Sequence, residues 1–106
     1  MSDDPLGAVF SALGDPTRRQ LLESLTHGRA TISGLAAGLP VSRQAVTKHL
    51  ATLGDAGLVR SQRAGREVIF EITPQAMGEP ARWMAEVGAE WDERLARLSE
   101  LFAGEG

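Results

Sequence analysis

The sequence predicts a mainly α fold with one small β-hairpin. Apolar residues recur at spacings of three and four over most of the chain, the period of a helix with one buried face. Between residues 58 and 72 that period gives way to two short runs split by Gly65-Arg66. The second run is rich in branched and aromatic residues, as a hairpin strand should be. The 106 residues contain no cysteine. That length predicts a single domain over 1–106, with no disulfide and no thiolate metal site. Domains this small bury a reduced fraction of their surface and often lean on oligomerisation.

The first helix is predicted from Pro5 to Leu13, with Leu6, Val9, Phe10 and Leu13 on its apolar side. Gly14 ends it. Asp15-Pro16 starts the second helix, because Asp caps and Pro costs nothing where its N–H would be unpaired anyway. Leu21, Leu22 and Leu25 form its buried side. Arg18 and Arg19 fall near its first turn, where the helix dipole opposes a cation. Each therefore needs a compensating partner. His27-Gly28-Arg29 is a turn, and Thr31 caps a short helix through Ile32, Leu35, Ala36 and Leu39. Pro40 stops that helix, since the residue before proline is pushed out of helical geometry.

The next helix is predicted over about 42–56 and has two distinct faces. Ser42 caps its start, and Gly54 and Gly57 mark its end. Val46, Leu50 and Leu53 make one apolar stripe. The other side carries Arg43, Gln44, Thr47 and Lys48, with no acid before Asp55. The hairpin follows over about 58–72, with Arg63 and Arg66 at its tip. Thr73-Pro74 repeats the cap-plus-proline start, and a long helix is predicted over about 74–102, with an interruption near Gly78-Glu79-Pro80. Met84, Val87, Trp91, Leu95, Leu98 and Phe102 form its stripe, widened by Trp83 and Leu101. From residue 82 onward this helix is roughly 30 Å long at 1.5 Å per residue. Burying so long an apolar face in so short a chain is simplest if it packs on its own copy and on the first helix.

Charge is divided unevenly. The formal net charge is −3, yet residues 29–66 carry +5, while 1–28 carry −2 and 67–106 carry −6. Phosphate binding follows local charge density, so a basic third inside an acidic protein is compatible with nucleic acid. Two short helices joined by a tight turn make a helix-turn-helix whose second helix reads the major groove. A hairpin directly after the reader is a wing, with Arg63 and Arg66 placed to reach phosphates or a narrow minor groove. Arg43 and Gln44 can each form two hydrogen bonds to a base edge, Thr47 suits base or phosphate, and Lys48 suits phosphate. For Arg18 and Arg19, an acidic neighbour and a DNA phosphate are both candidate partners.

The segments L-G-D-P-T-R-R-Q-L-L, P-V-S-R-Q-A-V-T-K-H-L-A-T-L-G-D-A-G-L-V and R-S-Q-R-A-G-R-E-V-I-F-E-I, in this order, resemble the ArsR family of bacterial winged-helix transcriptional repressors. The resemblance spans about residues 6–102. It implies a homodimer joined through the N- and C-terminal helices, with Phe10, Trp83, Trp91 and Leu98 in the interface. Val87 and Leu95 share that stripe. It also implies that residues 42–50 enter DNA, so Ser42 and His49 join Arg43, Gln44, Thr47, Lys48, Arg63 and Arg66 as expected DNA-binding residues, with His49 beside the backbone; for His49 a core or capping role is the alternative. Many members release DNA on binding metal, but their usual ligands are missing here. Thr31 and Ser33 stand where many members carry a cysteine pair, and no histidine follows His49. The remaining carboxylates Glu79, Glu86, Glu90, Asp92 and Glu93 suit only hard cations. They are expected to be solvated, with no metal and no cofactor. A further departure is Pro40, where many helix-turn-helix proteins have glycine.

The expected function is a sequence-specific DNA-binding repressor, dimeric on an inverted-repeat operator. The alternative is a winged-helix protein-interaction module without DNA binding. No catalytic constellation is visible, so no enzyme is expected. No apolar run approaches the roughly 20 residues of a membrane span, and M-S-D-D-P-L-G lacks the basic and apolar regions of a signal peptide, so the cytoplasm is expected. A small-molecule effector near Trp83 and Trp91 is compatible with the sequence, as is no effector.

Overall fold

A computed structural model of the chain describes residues 4–103, with side chains described through residue 100. The side chains of Leu101 and Phe102, expected on the long apolar stripe, lie outside the described residues. Among the described residues the order is α1 (Pro5–Ala12), α2 (Pro16–Thr26), β1 (Ala30–Thr31), α3 (Ile32–Ala37), α4 (Arg43–Asp55), β2 (Val59–Ala64), β3 (Glu67–Ile72) and α5 (Gly78–Ala103).

The helix starts follow their caps. Asp4 accepts from the Gly7 N–H, Asp15 from the Thr17 and Arg18 N–H groups, Thr31 from Gly34 and Ser42 from Ala45. Each side chain satisfies an amide that has no partner within its own helix. The turn between α3 and α4 contains no residue with positive φ, consistent with the fixed φ of Pro40. The end of α4 is a Schellman motif. Gly57 takes φ +79°, its N–H donates to the Gly54 carbonyl, and the Leu58 N–H donates to the Leu53 carbonyl. Leu53 and Leu58 are both buried beside this cap, so the stop of α4 is welded into the core.

The sheet has strand order β1-β3-β2, antiparallel throughout. The hairpin register pairs Val59 with Ile72 and Ala64 with Glu67. Gly65 takes φ +65° at the first of two turn positions, the place glycine holds in a type II′ turn. The third strand was not expected. Ala30 and Thr31 pair with Phe70 and Ile69, which ties the start of α3 to the wing.

The core consists of Val9, Ala12, Leu21, Leu25, Leu35, Val46, Leu50, Leu53, Leu58 and Val59. It draws on α1 to α4 and β2, and among the described residues of α5 only Pro80, in the first turn, is buried. A second difference lies before α5. Residues 74–77 are turns and the helix begins at Gly78. Pro80 therefore sits in the first helical turn, where its missing N–H removes no bond. The interruption expected near 78–80 is instead the helix start. Beyond it, α5 projects away from the body. The molecule measures 68 × 31 × 25 Å and its radius of gyration is 18.8 Å, against about 13 Å for a compact domain of this length. Among the described residues, no helix is long and apolar enough to cross a membrane.

Candidate nucleic-acid interface

The interface is built on α4, whose apolar stripe fixes which way its polar side must face. Val46, Leu50 and Leu53 are at 1% exposure or less. At about 100° per residue, that places Gln44 and Lys48 opposite the stripe and Thr47 on its flank, and all three are exposed. Thr47 Oγ1 donates to the Arg43 carbonyl at 2.8 Å. That bond holds its rotamer and leaves the oxygen as an acceptor and the methyl group facing out. Ser42 is exposed, and its Oγ caps α4 through the Ala45 N–H at 3.1 Å. Capping uses the oxygen as acceptor and leaves the hydroxyl hydrogen free to donate.

Arg43 points to the wing side. It lines a groove of about 290 Å³ together with Arg66 from the hairpin turn, Thr31 and Ser33 from the start of α3, and Glu67 and Val68. Two guanidinium groups from separate elements thus open on one groove. Arg63 sits one ladder step from the turn, paired across the hairpin with Val68, and is exposed. Among the described residues, only one of the six cations in 29–66 is neutralised: Arg60 Nε donates to Glu71 Oε1 at 2.9 Å across the hairpin. Arg29, Arg43, Lys48, Arg63 and Arg66 form no ion pair.

His49 stands apart from this face. It is half-buried and its Nδ1 lies 3.4 Å from Arg18 Nη1 on α2. The helical period sets it beside the buried stripe, turned away from Gln44 and Lys48. The two arginines that needed partners have found backbone. Arg18 Nε donates to the Ala12 carbonyl at 2.7 Å and Nη2 to the Ser11 carbonyl at 3.3 Å. Arg19 Nη1 donates to the Leu13 carbonyl at 2.6 Å. Among the described residues, neither forms an ion pair with an acid. These cations sit badly at the start of their own helix but well at the end of α1, where unpaired carbonyls and the dipole favour them. Sequence reasoning missed this because the acceptors are main-chain atoms, which carry no sequence signature. Asp15, which caps α2, has its carboxyl held below the ordinary carboxylate range. The Arg18 N–H lowers it most, partial burial opposes, and the Thr17 N–H and the Arg18 charge add to the lowering.

The expected dimer residues are on one side of the molecule. Phe10 on α1 meets Trp83 on α5 edge to face, with centroids 5.4 Å apart. Val87 is half-buried, while Trp83, Trp91, Leu95 and Leu98 are 45–55% exposed. The Arg94 guanidinium lies 5.3 Å from the Trp91 ring centroid. An open groove of about 230 Å³ runs between α1, the end of α4 and the start of α5. Its lining residues include Leu6, Val9, Ala76 and Pro80, and neither tryptophan. Among the described residues, no three His, Asp or Glu side chains come together as a metal-binding group.

Comparison with known proteins gives this geometry a context. Residues 13–62, from the end of α1 into the wing, match the model of a helix-turn-helix domain family. The chain is 35% identical over 98 residues to the HTH-type transcriptional regulator Rv2034 of Mycobacterium tuberculosis, covering 92% of this chain and 89% of that one. The solved structure of an ArsR-like transcriptional regulator from Rhodococcus sp. RHA1 superposes with a TM-score of 0.76 at 42% identity, over 92% of both chains. The homodimeric winged helix-turn-helix DNA-binding domain of Mb0332 from Mycobacterium bovis superposes with a TM-score of 0.65 at 28% identity, over 90% of this chain and 91% of that one. Likeness of this extent, over the whole order of helices and wing, means that the chain belongs to the ArsR family of winged helix-turn-helix transcriptional regulators.

Proposed function

We propose that this regulator works in the cytoplasm as a homodimeric repressor that grips an inverted-repeat operator and occludes it. The observation that carries this reading is the pattern of unpaired charge. Among the described residues, five cations without acid partners lie on residues 29–66, and those on α4 and the wing border an uncharged, hydrogen-bonding strip. Gln44 reads a base edge from that strip, and Thr47 packs its methyl group or accepts a hydrogen bond beside it. Lys48, Arg63 and Arg66 hold phosphates. Arg43, opening on the same groove as Arg66, serves base or phosphate at the junction of reader and wing, and the Ser42 hydroxyl donates to the backbone. The second copy packs through α1 and α5, with Phe10, Trp83, Val87, Trp91, Leu95 and Leu98 in the contact. The homodimeric state of the Mycobacterium bovis domain supports that assembly. Two readers held this way meet half-sites about one helical turn, roughly 34–36 Å, apart.

The test begins by selecting bound fragments from genomic DNA, then titrating salt. Lys48→Ala should weaken cognate and random DNA alike and reduce the salt slope by about one. Gln44→Ala should cost about 1–3 kcal/mol on cognate DNA and little on random DNA. Equal loss on both by Gln44→Ala would sink its assignment as a base reader. A flat salt response of the wild-type protein would instead favour the interaction module without DNA binding.

A further inference from the structure

We propose that Arg18 is a positioning residue for DNA reading, joining the end of α1 to His49 on the reader helix through one guanidinium. The inference rests on the operator-binding reading above and adds how the reader is aimed. The geometry is a three-way junction. Nε and Nη2 take the carbonyls of Ala12 and Ser11, the last turn of α1, while Nη1 faces His49 Nδ1 at 3.4 Å. On its other side α1 presents Phe10 to Trp83 of α5. One side chain therefore connects the layer that would form the dimer with the helix that would enter the groove.

A directional link is needed here because the rest of the contact is apolar. Val9 and Ala12 of α1 and Val46, Leu50 and Leu53 of α4 belong to one buried cluster. Such packing is non-directional, so it sets distance better than rotation. A rotation of α4 by 10–20° already exceeds what a recognition constellation tolerates. Arg18 limits that rotation, because its planar fork presents donors in fixed directions, unlike the single ammonium of lysine. A guanidinium has only donors, so His49 Nδ1 must be the acceptor and its ring proton must sit on Nε2. Asp15 braces the same corner by accepting the Arg18 main-chain N–H at 3.1 Å.

The experiment compares Arg18→Gln, His49→Ala and His49→Asn with the wild-type full chain, on the selected operator and on random DNA, well below the unfolding temperature. Arg18→Gln and His49→Ala should each bind the operator about tenfold more weakly, the scale of one charge-assisted hydrogen bond. The double variant should be no weaker than Arg18→Gln alone. His49→Asn restores an acceptor at the δ position and should recover most of the loss. The salt slope and the binding of random DNA should not change. Nitrogen-15 spectra of the imidazole should show the Nε2–H form in the wild-type protein and a shifted tautomer balance in Arg18→Gln. A salt slope lowered by about one would make Arg18 a phosphate contact and overturn the proposal. So would a protonated Nδ1 in the wild-type protein. If Arg18→Gln does not fold, the His49→Ala and His49→Asn pair decides alone. Wild-type binding with unaffected variants removes the positioning role and leaves the operator reading intact. Absence of wild-type binding at any salt removes both.

Discussion

The helices α4 and α5 carry the same kind of apolar stripe and end in opposite environments. On α4, Val46, Leu50 and Leu53 are closed over by the chain itself, at 1% exposure or less. On α5, Trp91 and Leu95 are 55% exposed and Leu98 is 49% exposed. Sequence period cannot distinguish the two cases, because a stripe says only that a face wants a partner. The difference lies in what surrounds each helix. Around α4 stand α1, α2, α3 and β2, whereas α5 is contacted by α1 near its first turns and then leaves the body. One stripe is finished within the monomer. The other stays open among the described residues, and exposed apolar surface on this scale marks an interaction site.

The sharpest way to break that contrast is truncation of the matched leucines. Leu53→Ala should cost about 3 kcal/mol, the middle of the range for a leucine lost from a closed core. The unfolding free energy should fall by that amount at every protein concentration, because the cavity lies inside one chain. Leu95→Ala should leave the monomer unfolding step nearly unchanged and should act only through association. A concentration-independent loss of similar size in Leu95→Ala would mean that α5 packs on its own chain after all, and the contrast would be gone.

Association itself gives the next effect in size. Trp91 is large, aromatic and half-exposed, with Arg94 stacked at 5.3 Å, the residue types that dominate interface energetics. Trp91→Ala should weaken the dimer by about 2 kcal/mol, or roughly thirtyfold in dissociation constant, read by sedimentation equilibrium. Operator affinity should fall with it, since each reader then binds its half-site alone, while the circular dichroism of the monomer stays unchanged. Unaltered self-association in Trp91→Ala would move the interface elsewhere on α5.

The same contrast explains what was legible in the sequence. Features decided by neighbours within a few residues could be read directly. The caps Asp15, Thr31 and Ser42, the Schellman glycine Gly57 and the turn glycine Gly65 all belong there. The outward face of α4 was legible because one buried stripe determines the other side of a helix. Long-range pairings were not legible. β1 has only Ala30 and Thr31, too few residues to show a period. The Arg60–Glu71 pair exists because of the hairpin register. The Arg18 acceptors are carbonyls, and the position of His49 on the inner side of α4 followed from the burial of its neighbours. The start of α5 was misread because Thr73-Pro74 carries a cap-and-proline signature, yet the chain makes turns over 74–77 and enters the helix at Gly78.

The smallest effect sharpens the contrast from the side of the finished unit, through acid. Asp15 holds the start of α2 by accepting from Thr17 and Arg18 at 2.8 and 3.1 Å, and the ionised carboxylate accepts these bonds more strongly than the protonated acid. Its folded-state pKa lies below the ordinary value of 3.8, chiefly through the Arg18 N–H. A depressed carboxyl binds its proton more readily in the unfolded chain than in the folded one. Stability from this group is therefore fully present above about pH 4 and is lost as pH falls through the folded-state value. Asp15→Asn keeps a capping oxygen but cannot titrate, so its unfolding midpoint should fall less steeply below pH 4 than that of the wild-type protein. The dimer should be untouched by this substitution at neutral pH, since the Asp15 hydrogen bonds stay within the first turn of α2. Identical acid profiles for the two proteins would show that the cap contributes no pH-dependent stability, and a shift in the dimer constant would show that α2 and α5 are coupled.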